Sequence, residues 1–185
     1  MSVDREVAGG DNFVGISIYQ PATSSADEIR LERAVLASRA LTVENDPVLN
    51  AIVQRARRAA GTRMAAVSIV HRDWQFLIAA AGLATGAYSR RTSFCGHAIL
   101  GRTPVFSVLD AREDGRFAGN PAVEDGAISF YVGALIFGED GDLPIGTLCA
   151  FDPRPRTEST GALRIELLAL AGQVTAHLLG SREQL

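Results

Sequence analysis

The chain has 185 residues, of which 47% are apolar and 21% are charged, and its formal net charge is −3. This length fits one domain that can fold without a disulfide or a structural metal, and the charge gives no electrostatic support for nucleic-acid binding. All 18 basic residues are arginine, which excludes chemistry that requires a lysine.

Cysteine usage and the lengths of apolar runs predict a cytoplasmic protein that does not contact a membrane. Cys95 and Cys149 form neither a CxxC pair nor a disulfide framework, and no signal peptide is recognisable. The longest uncharged run, residues 74–89, contains polar residues and is shorter than the roughly 20 apolar residues of a membrane span.

The N-terminal part of the chain divides into an arm and the start of a domain. Residues 1–25 are rich in Gly, Asp, Ser and Pro, which predicts an arm without a core of its own, and residues 26–185 are predicted to form the domain. Ser25 and Glu28 have the spacing of a capping box, which predicts a helix that continues to about Leu41.

A second helix and a β-hairpin are predicted next. Asp46 is a typical helix-capping residue, and the apolar spacing that follows it is helical as far as Gly61. The apolar runs 64–71 and 75–81 flank a short polar turn, which is typical of a hairpin.

The rest of the chain alternates strands with short helical segments. The predicted elements are a helix over 94–100, a strand over 104–109, an irregular segment, strands over 127–137 and 144–152, and a long helix over 161–182. The stripe of the long helix consists of Leu163, Leu167, Leu170, Val174 and Leu178. Strands joined by hairpins predict an antiparallel sheet and therefore an α+β fold.

Four sequence motifs resemble those of a known protein family. They are SFCGHAIL (93–100), VLDAREDGRFAGNPAV (108–123), FYVGALIF (130–137) and IGTLCAFDPRPR (145–156). In this order they resemble GAF domains, the sensory modules related to PAS domains, and above all those placed ahead of histidine kinases and cyclic-dinucleotide enzymes. The resemblance covers residues 46–180. It implies a five- or six-stranded antiparallel sheet, with the terminal helices on one face and a ligand pocket under short helices and loops on the other.

Ten residues are the candidates for contact with a ligand: Ser93, Phe94, Cys95, His97, Asp110, Arg116, Phe117, Asn120, Tyr131 and Thr147. The first four open a helix, whose free N–H groups suit an anion and lower the pKa of a thiol. The structural alternative is that Ser93 is only a cap and that Cys95 is a small buried hydrophobe.

The other candidates also have a structural alternative. Arg116 could clamp a phosphate or carboxylate, or it could pair with Asp110 or Asp114 instead. Tyr131 and Thr147 lie on strands, and the sequence leaves open which face of the sheet they occupy. The three histidines are scattered, so no metal site is predicted.

The resemblance implies a non-enzymatic domain that binds an unknown small molecule and acts in signal transduction through a separate partner, with no cofactor predicted. A homodimer through the terminal helices is expected. The alternatives are a ligand-free dimerisation module, an enzyme similar to free methionine sulfoxide reductases that uses Cys95 and Cys149, and a bilin-binding domain.

Overall fold

The computed structural model describes residues 18–101 and 103–180. Its centre is a six-stranded antiparallel sheet with the strand order β3-β2-β1-β6-β5-β4. The strands are β1 (Met64–His71), β2 (Trp74–Ala81), β3 (Gly86–Ser89), β4 (Val105–Val108), β5 (Phe130–Phe137) and β6 (Pro144–Asp152). The antiparallel α+β prediction is confirmed. Strand β3 was not predicted. Its four residues are all exposed, so they carry no apolar alternation.

Five α-helices surround the sheet within the described residues. They are α1 (Glu28–Ala37), α2 (Pro47–Ala60), α3 (Phe94–Leu100), α4 (Pro121–Glu124) and α5 (Gly161–Gly180). Helices α2 and α5 pack against each other and against the sheet, while α3 packs on β6, β5 and β1.

Helix α1 is shorter than predicted. It ends at Ala37 rather than near Leu41, because Ser38 adopts an extended conformation and its hydroxyl donates to the carbonyl of Val35 at 2.7 Å. Serine side chains that bond to nearby backbone compete with helix continuation in this way. A short 3-10 turn follows at Ala40–Thr42.

Helix α1 also lies in a different place from α2 and α5. Its Glu32 pairs with Arg72 in the β1–β2 turn, and its Arg30 pairs with Asp142 in the β5–β6 turn. Helix α1 therefore crosses the end of the sheet where these two turns meet, and the helix that packs beside α5 is α2.

The predicted stripe of α5 forms part of the core. Four of its five members are buried, and Leu163 is partly buried against the same core. Among the described residues, α5 is also the one helix long and apolar enough to pass a length-and-composition test for a membrane span, with a mean hydropathy of 1.3. Only 28% of that stretch is buried, so much apolar surface of α5 remains uncovered.

Candidate functional site

The floor of the site is the sheet face opposite α2 and α5. In the strand ladder Cys149 of β6 lies between Ala66 of β1 and Gly133 of β5, and Thr147 lies opposite Ser68. Partners across a ladder project to the same face. The sequence left open which face of the sheet Tyr131 and Thr147 occupy. Both lie on the same face as Cys149, which is the floor of the site.

The wall of the site is the first turn of α3. The Ser93 hydroxyl accepts a hydrogen bond from the backbone N–H of Gly96 at 2.9 Å, which is the predicted cap. The same hydroxyl donates to the side-chain oxygen of Gln75 on β2. This anchoring turns Phe94 and Cys95 towards the sheet, where both are buried.

A cavity of about 210 Å³ lies between this wall and the floor. Most of its surface is apolar and comes from residues such as Leu77, Leu83, Ile128 and Phe151. Its polar groups include Gln75, Ser93 and Tyr131. None of the described residues that line the cavity is charged.

The two cysteines meet at the bottom of the cavity. The Sγ atoms of Cys95 and Cys149 are 3.9 Å apart, and both residues line the cavity wall. The Tyr131 hydroxyl donates to the sulfur of Cys95 at 3.3 Å and lies 3.3 Å from the hydroxyl of Thr147. The Ser68 hydroxyl is buried beside this group.

These contacts shift the pKa values of the two thiols in opposite directions. Hydrogen bonding from the Cys149 thiol, helped by the hydroxyls of Ser68, Thr147 and Tyr131, lowers the pKa of Cys95 to about 6 against the opposing effect of burial. The same hydrogen bond and burial raise the pKa of Cys149 well above its ordinary value. Burial likewise raises the pKa of Tyr131, so Tyr131 remains a neutral donor.

Two predicted charged residues lie outside the cavity and are already paired. Arg116 makes a two-bond ion pair with Asp114, at 2.6 and 2.9 Å, and its guanidinium lies about 5 Å from the ring centres of Phe106 and Phe117. Asp110 makes the same kind of pair with Arg112. Both residues therefore form ion pairs with close neighbours in sequence. For Arg116 this is the structural alternative to a ligand contact, namely pairing with Asp114.

The remaining predicted residues do not line the cavity and pack around α3 and the turn before it. The ring of Phe117 stacks on Phe94 with a centroid distance of 4.1 Å, and His97 packs edge-on against Phe117. Burial lowers the pKa of His97 despite its hydrogen bond to Gln20. Asn120 is buried, caps α4 and donates to the carbonyl of Thr92 at 2.9 Å.

An ion pair of a buried arginine, which was not predicted from the sequence, holds the start of the wall. Arg90, whose side chain is 4% exposed, pairs with Glu28 of α1 at 2.5 Å. It also donates to the carbonyls of Arg72 and Thr23. Arg90 stands three residues before Ser93, so the pair links α1 to the wall of the cavity. A buried arginine has no sequence signature that separates it from an exposed one.

The N-terminal segment, residues 18–22, crosses the outer side of α3. The amide of Gln20 donates to the carbonyl of Arg116 at 3.0 Å, and the carbonyl of Gln20 lies 2.8 Å from Nε2 of His97. The chain approaches so closely that a Cβ at Gly119 would come within 2.7 Å of the Ile18 backbone. Residues 1–17 of the predicted arm lie outside the described residues.

A six-stranded antiparallel sheet with a cavity on one face and packed helices on the other defines the class, and the chain belongs to the GAF domain family, whose model matches residues 44–181. It is 40% identical over 112 residues to a cyclic di-GMP phosphodiesterase of Pseudomonas aeruginosa. That match covers 60% of this chain but only 19% of the relative's length.

Two solved structures show the same fold. The GAF domain of an Acinetobacter phosphoenolpyruvate-protein phosphotransferase has a TM-score of 0.57 at 16% identity, and the match covers 85% of this chain and 99% of that one. A phycocyanobilin-bound GAF domain from a cyanobacterial phytochrome has a TM-score of 0.57 at 16% identity, with 88% and 100% covered. At this identity the likeness establishes the fold alone.

Proposed function

We propose that this GAF domain is a non-enzymatic sensory module that binds a small uncharged molecule in the cavity under α3 and regulates a partner. The observation that carries the proposal is the cavity, with an apolar wall and a few polar groups that can orient a ligand. Small-molecule sites in proteins usually have this character. Its 210 Å³ correspond to the volume of about seven liquid waters, which suits a compact ligand.

The lack of any acidic or basic residue in the cavity wall narrows the ligand class. A cyclic dinucleotide carries two phosphates, and a free amino acid such as methionine sulfoxide carries an ammonium and a carboxylate. Burying such groups without a partner of opposite charge is costly. A bilin also carries carboxylates, which meet the same obstacle. With no cationic side chain in its wall, the cavity favours an uncharged ligand over all three.

The proposed signal route is the Arg90–Glu28 pair. Thr92 and Ser93 line the cavity, and Arg90 stands two residues before Thr92. A ligand that shifts this stretch changes the position of Arg90, whose buried guanidinium is held by α1. Ligand occupancy would reach α1 through this ion pair, and a partner would recognise the change there.

A second copy of the chain is the partner that we propose for α5. Ile165 is 71% exposed and Leu168 is 41% exposed, and the two lie three residues apart on α5. Side chains at this spacing share one helix face. An uncovered apolar face of this kind marks an interaction surface.

The proposed ligand site can be tested by searching for a ligand and by filling the cavity with a larger side chain. Native mass spectrometry of freshly purified protein would show a retained ligand, and melting in the presence of neutral aromatic and aliphatic amides, ketones and alcohols would reveal binding. A ligand at one hundred times its Kd adds about 2.7 kcal/mol to the free energy of unfolding. Ala122→Phe should remove the melting shift, because residue 122 lines the cavity.

Ala118→Phe is the matched control, since Ala118 is exposed in the same region and does not line the cavity. It should keep the shift. If no neutral compound is retained or raises the melting temperature, and Ala122→Phe still forms the same oligomer as the wild type, the ligand-free dimerisation module is the better description.

A further inference from the structure

The two cysteines stand out because the GAF fold does not need them to be close. Cys95 lies in the first turn of α3 and Cys149 in the middle of β6, yet their sulfurs are 3.9 Å apart. A disulfide needs a sulfur separation of about 2.05 Å. The two atoms are therefore less than 2 Å from bonding distance.

The surroundings of the pair are polar rather than apolar. Tyr131 from β5 donates to the sulfur of Cys95, while the hydroxyls of Thr147 from β6 and Ser68 from β1 lie next to it. The thiol of Cys149 contacts the carbonyl of Ala66 at 3.5 Å. Thiols that serve only as small hydrophobes do not require such donors, whereas a thiolate is stabilised by them.

Both cysteine side chains are buried, yet both lie against the cavity. Cys95 and Cys149 both line the cavity, which is partly open to solvent. A hydroperoxide is much smaller than the 210 Å³ available. The cavity therefore brings a peroxide next to Cys95, whose side chain is 3% exposed, and a small movement of the wall must open its sulfur to the reagent.

We propose that Cys95 and Cys149 form a redox site, in which a hydroperoxide converts the two thiols into an intramolecular disulfide and a small thiol reverses the change. This site goes beyond the sensory function proposed above, because it requires no ligand. The disulfide joins the first turn of α3 to the middle of β6, and it replaces two hydrogen-bonding thiols in the cavity floor with a covalent bridge.

The chemistry balances in two steps. The Cys95 thiolate attacks one oxygen of hydrogen peroxide, the S–O bond forms, and the O–O bond breaks with its electron pair on the distal oxygen. That hydroxide takes the proton of the Cys149 thiol and leaves as water. The Cys149 thiolate then attacks the sulfenic sulfur, the S–S bond forms, and the second hydroxide leaves as water with the proton that Cys95 first released.

The wild-type protein itself gives the decisive test. Hydrogen peroxide at one equivalent should lower the intact mass by two hydrogen atoms per chain. The thiols that can be alkylated after denaturation should fall from two to none, and dithiothreitol should restore both. Peptide mapping should find the Cys95–Cys149 linkage within one chain.

Two isosteric variants separate the steps. In Cys149→Ser, the reaction should stop at a sulfenic acid on Cys95, which dimedone traps as one adduct per chain. In Cys95→Ser, Cys149 should give no adduct under the same conditions. Thermal melting of each variant confirms that it is folded.

Three results would overturn the proposal. One is a wild-type chain that keeps two alkylatable thiols after peroxide. Another is a disulfide that forms only between chains. The third is sulfinic acid on Cys95 of the wild type in place of the disulfide, which consumes two equivalents of peroxide, because this product means that Cys149 does not resolve the sulfenic acid.

Discussion

Gly133 lies beneath the side chain of Tyr131, and a Cβ at position 133 would come within 2.5 Å of the Tyr131 hydroxyl. The missing side chain leaves the space that lets the phenol ring turn over the strand and reach Cys95 and Thr147. A glycine within a central strand therefore has a specific cause here, namely the close approach of a neighbouring side chain.

Gly133→Ala should displace Tyr131 and lower the free energy of unfolding by about 1–3 kcal/mol, which is the usual effect of overpacking a core. Urea unfolding measures the change. Gly172→Ala is the control, because Gly172 lies in the exposed part of α5 with open space around it. This control should stabilise the protein by about 0.5–1 kcal/mol. Equal destabilisation by both variants would contradict the assigned role of Gly133.

Glu28→Gln should destabilise the protein by about 3 kcal/mol, since it leaves the guanidinium of Arg90 buried without its anionic partner. The matched control is Glu32→Gln on the same helix, whose partner Arg72 is 66% exposed. This control should change the free energy of unfolding by less than about 1 kcal/mol. Similar losses in both variants would show that α1 responds to any removed charge.

The pKa of Cys95 predicts how alkylation depends on pH. Because the pKa is lowered to about 6, the thiolate predominates at pH 7, and the reaction with iodoacetamide should slow as the pH falls through 6. The groups that face Cys95 are Cys149 and Thr147 from β6, Tyr131 from β5 and Ser68 from β1, and none carries a charge at that pH. Cys149 should remain unreactive until far higher pH.

Mass spectrometry of the two cysteine peptides measures the alkylation rate of each thiol. If the alkylation rate of Cys95 has its pH midpoint near the ordinary thiol pKa of about 8.5, hydrogen bonding does not lower the pKa of Cys95.

Gly119→Ala should release the N-terminal segment from α3, because the added methyl group collides with the backbone of Ile18. Hydrogen exchange at the amides of Gln20 and Ala22 should accelerate, since both donate to carbonyls of the segments they cross. Gly115→Ala, in the same loop but in open space, should leave this exchange unchanged. Unchanged protection in both variants would mean that the segment is held by contacts other than those near Gly119.

Leu168→Arg should convert the proposed dimer into a monomer, because a charge then occupies the exposed apolar face of α5. Size-exclusion chromatography with light scattering gives the mass directly. Trp74→Arg is the control, since Trp74 is 50% exposed on β2, away from α5. A wild-type protein that is monomeric at every concentration would contradict the dimer, and so would a dimer that only Trp74→Arg disrupts.

Much of the fold was predictable because its determinants are local. Ser93 caps α3 and Asn120 caps α4, and each signal lies within three residues of the group it satisfies. Strand β3 was missed because its residues are exposed on both faces. Ser38 ended α1 early through a local hydrogen bond that the capping pattern before the helix does not predict.

The site was less predictable because it depends on packing between distant elements. Alternation along β6 groups Thr147 with Cys149, but it cannot tell which face α5 covers. The distance between Cys95 and Cys149 depends on how α3 sits on β6, and no spacing in the sequence encodes it. Arg116 illustrates the opposite case, since its partner Asp114 is only two residues away and the short-range pair accounts for it.

The strand order places the cavity floor at the seam between two halves of the chain. Strand β1 belongs to the N-terminal hairpin and β6 to the C-terminal hairpin, and Ser68 meets Thr147 only where these hairpins join. Contacts between residues so far apart in sequence impose a large entropy of loop closure and form slowly. The thiol pair and its hydroxyl donors therefore cannot assemble before β6 has paired with β1, so Cys95 is an ordinary thiol in a nascent chain that lacks β6.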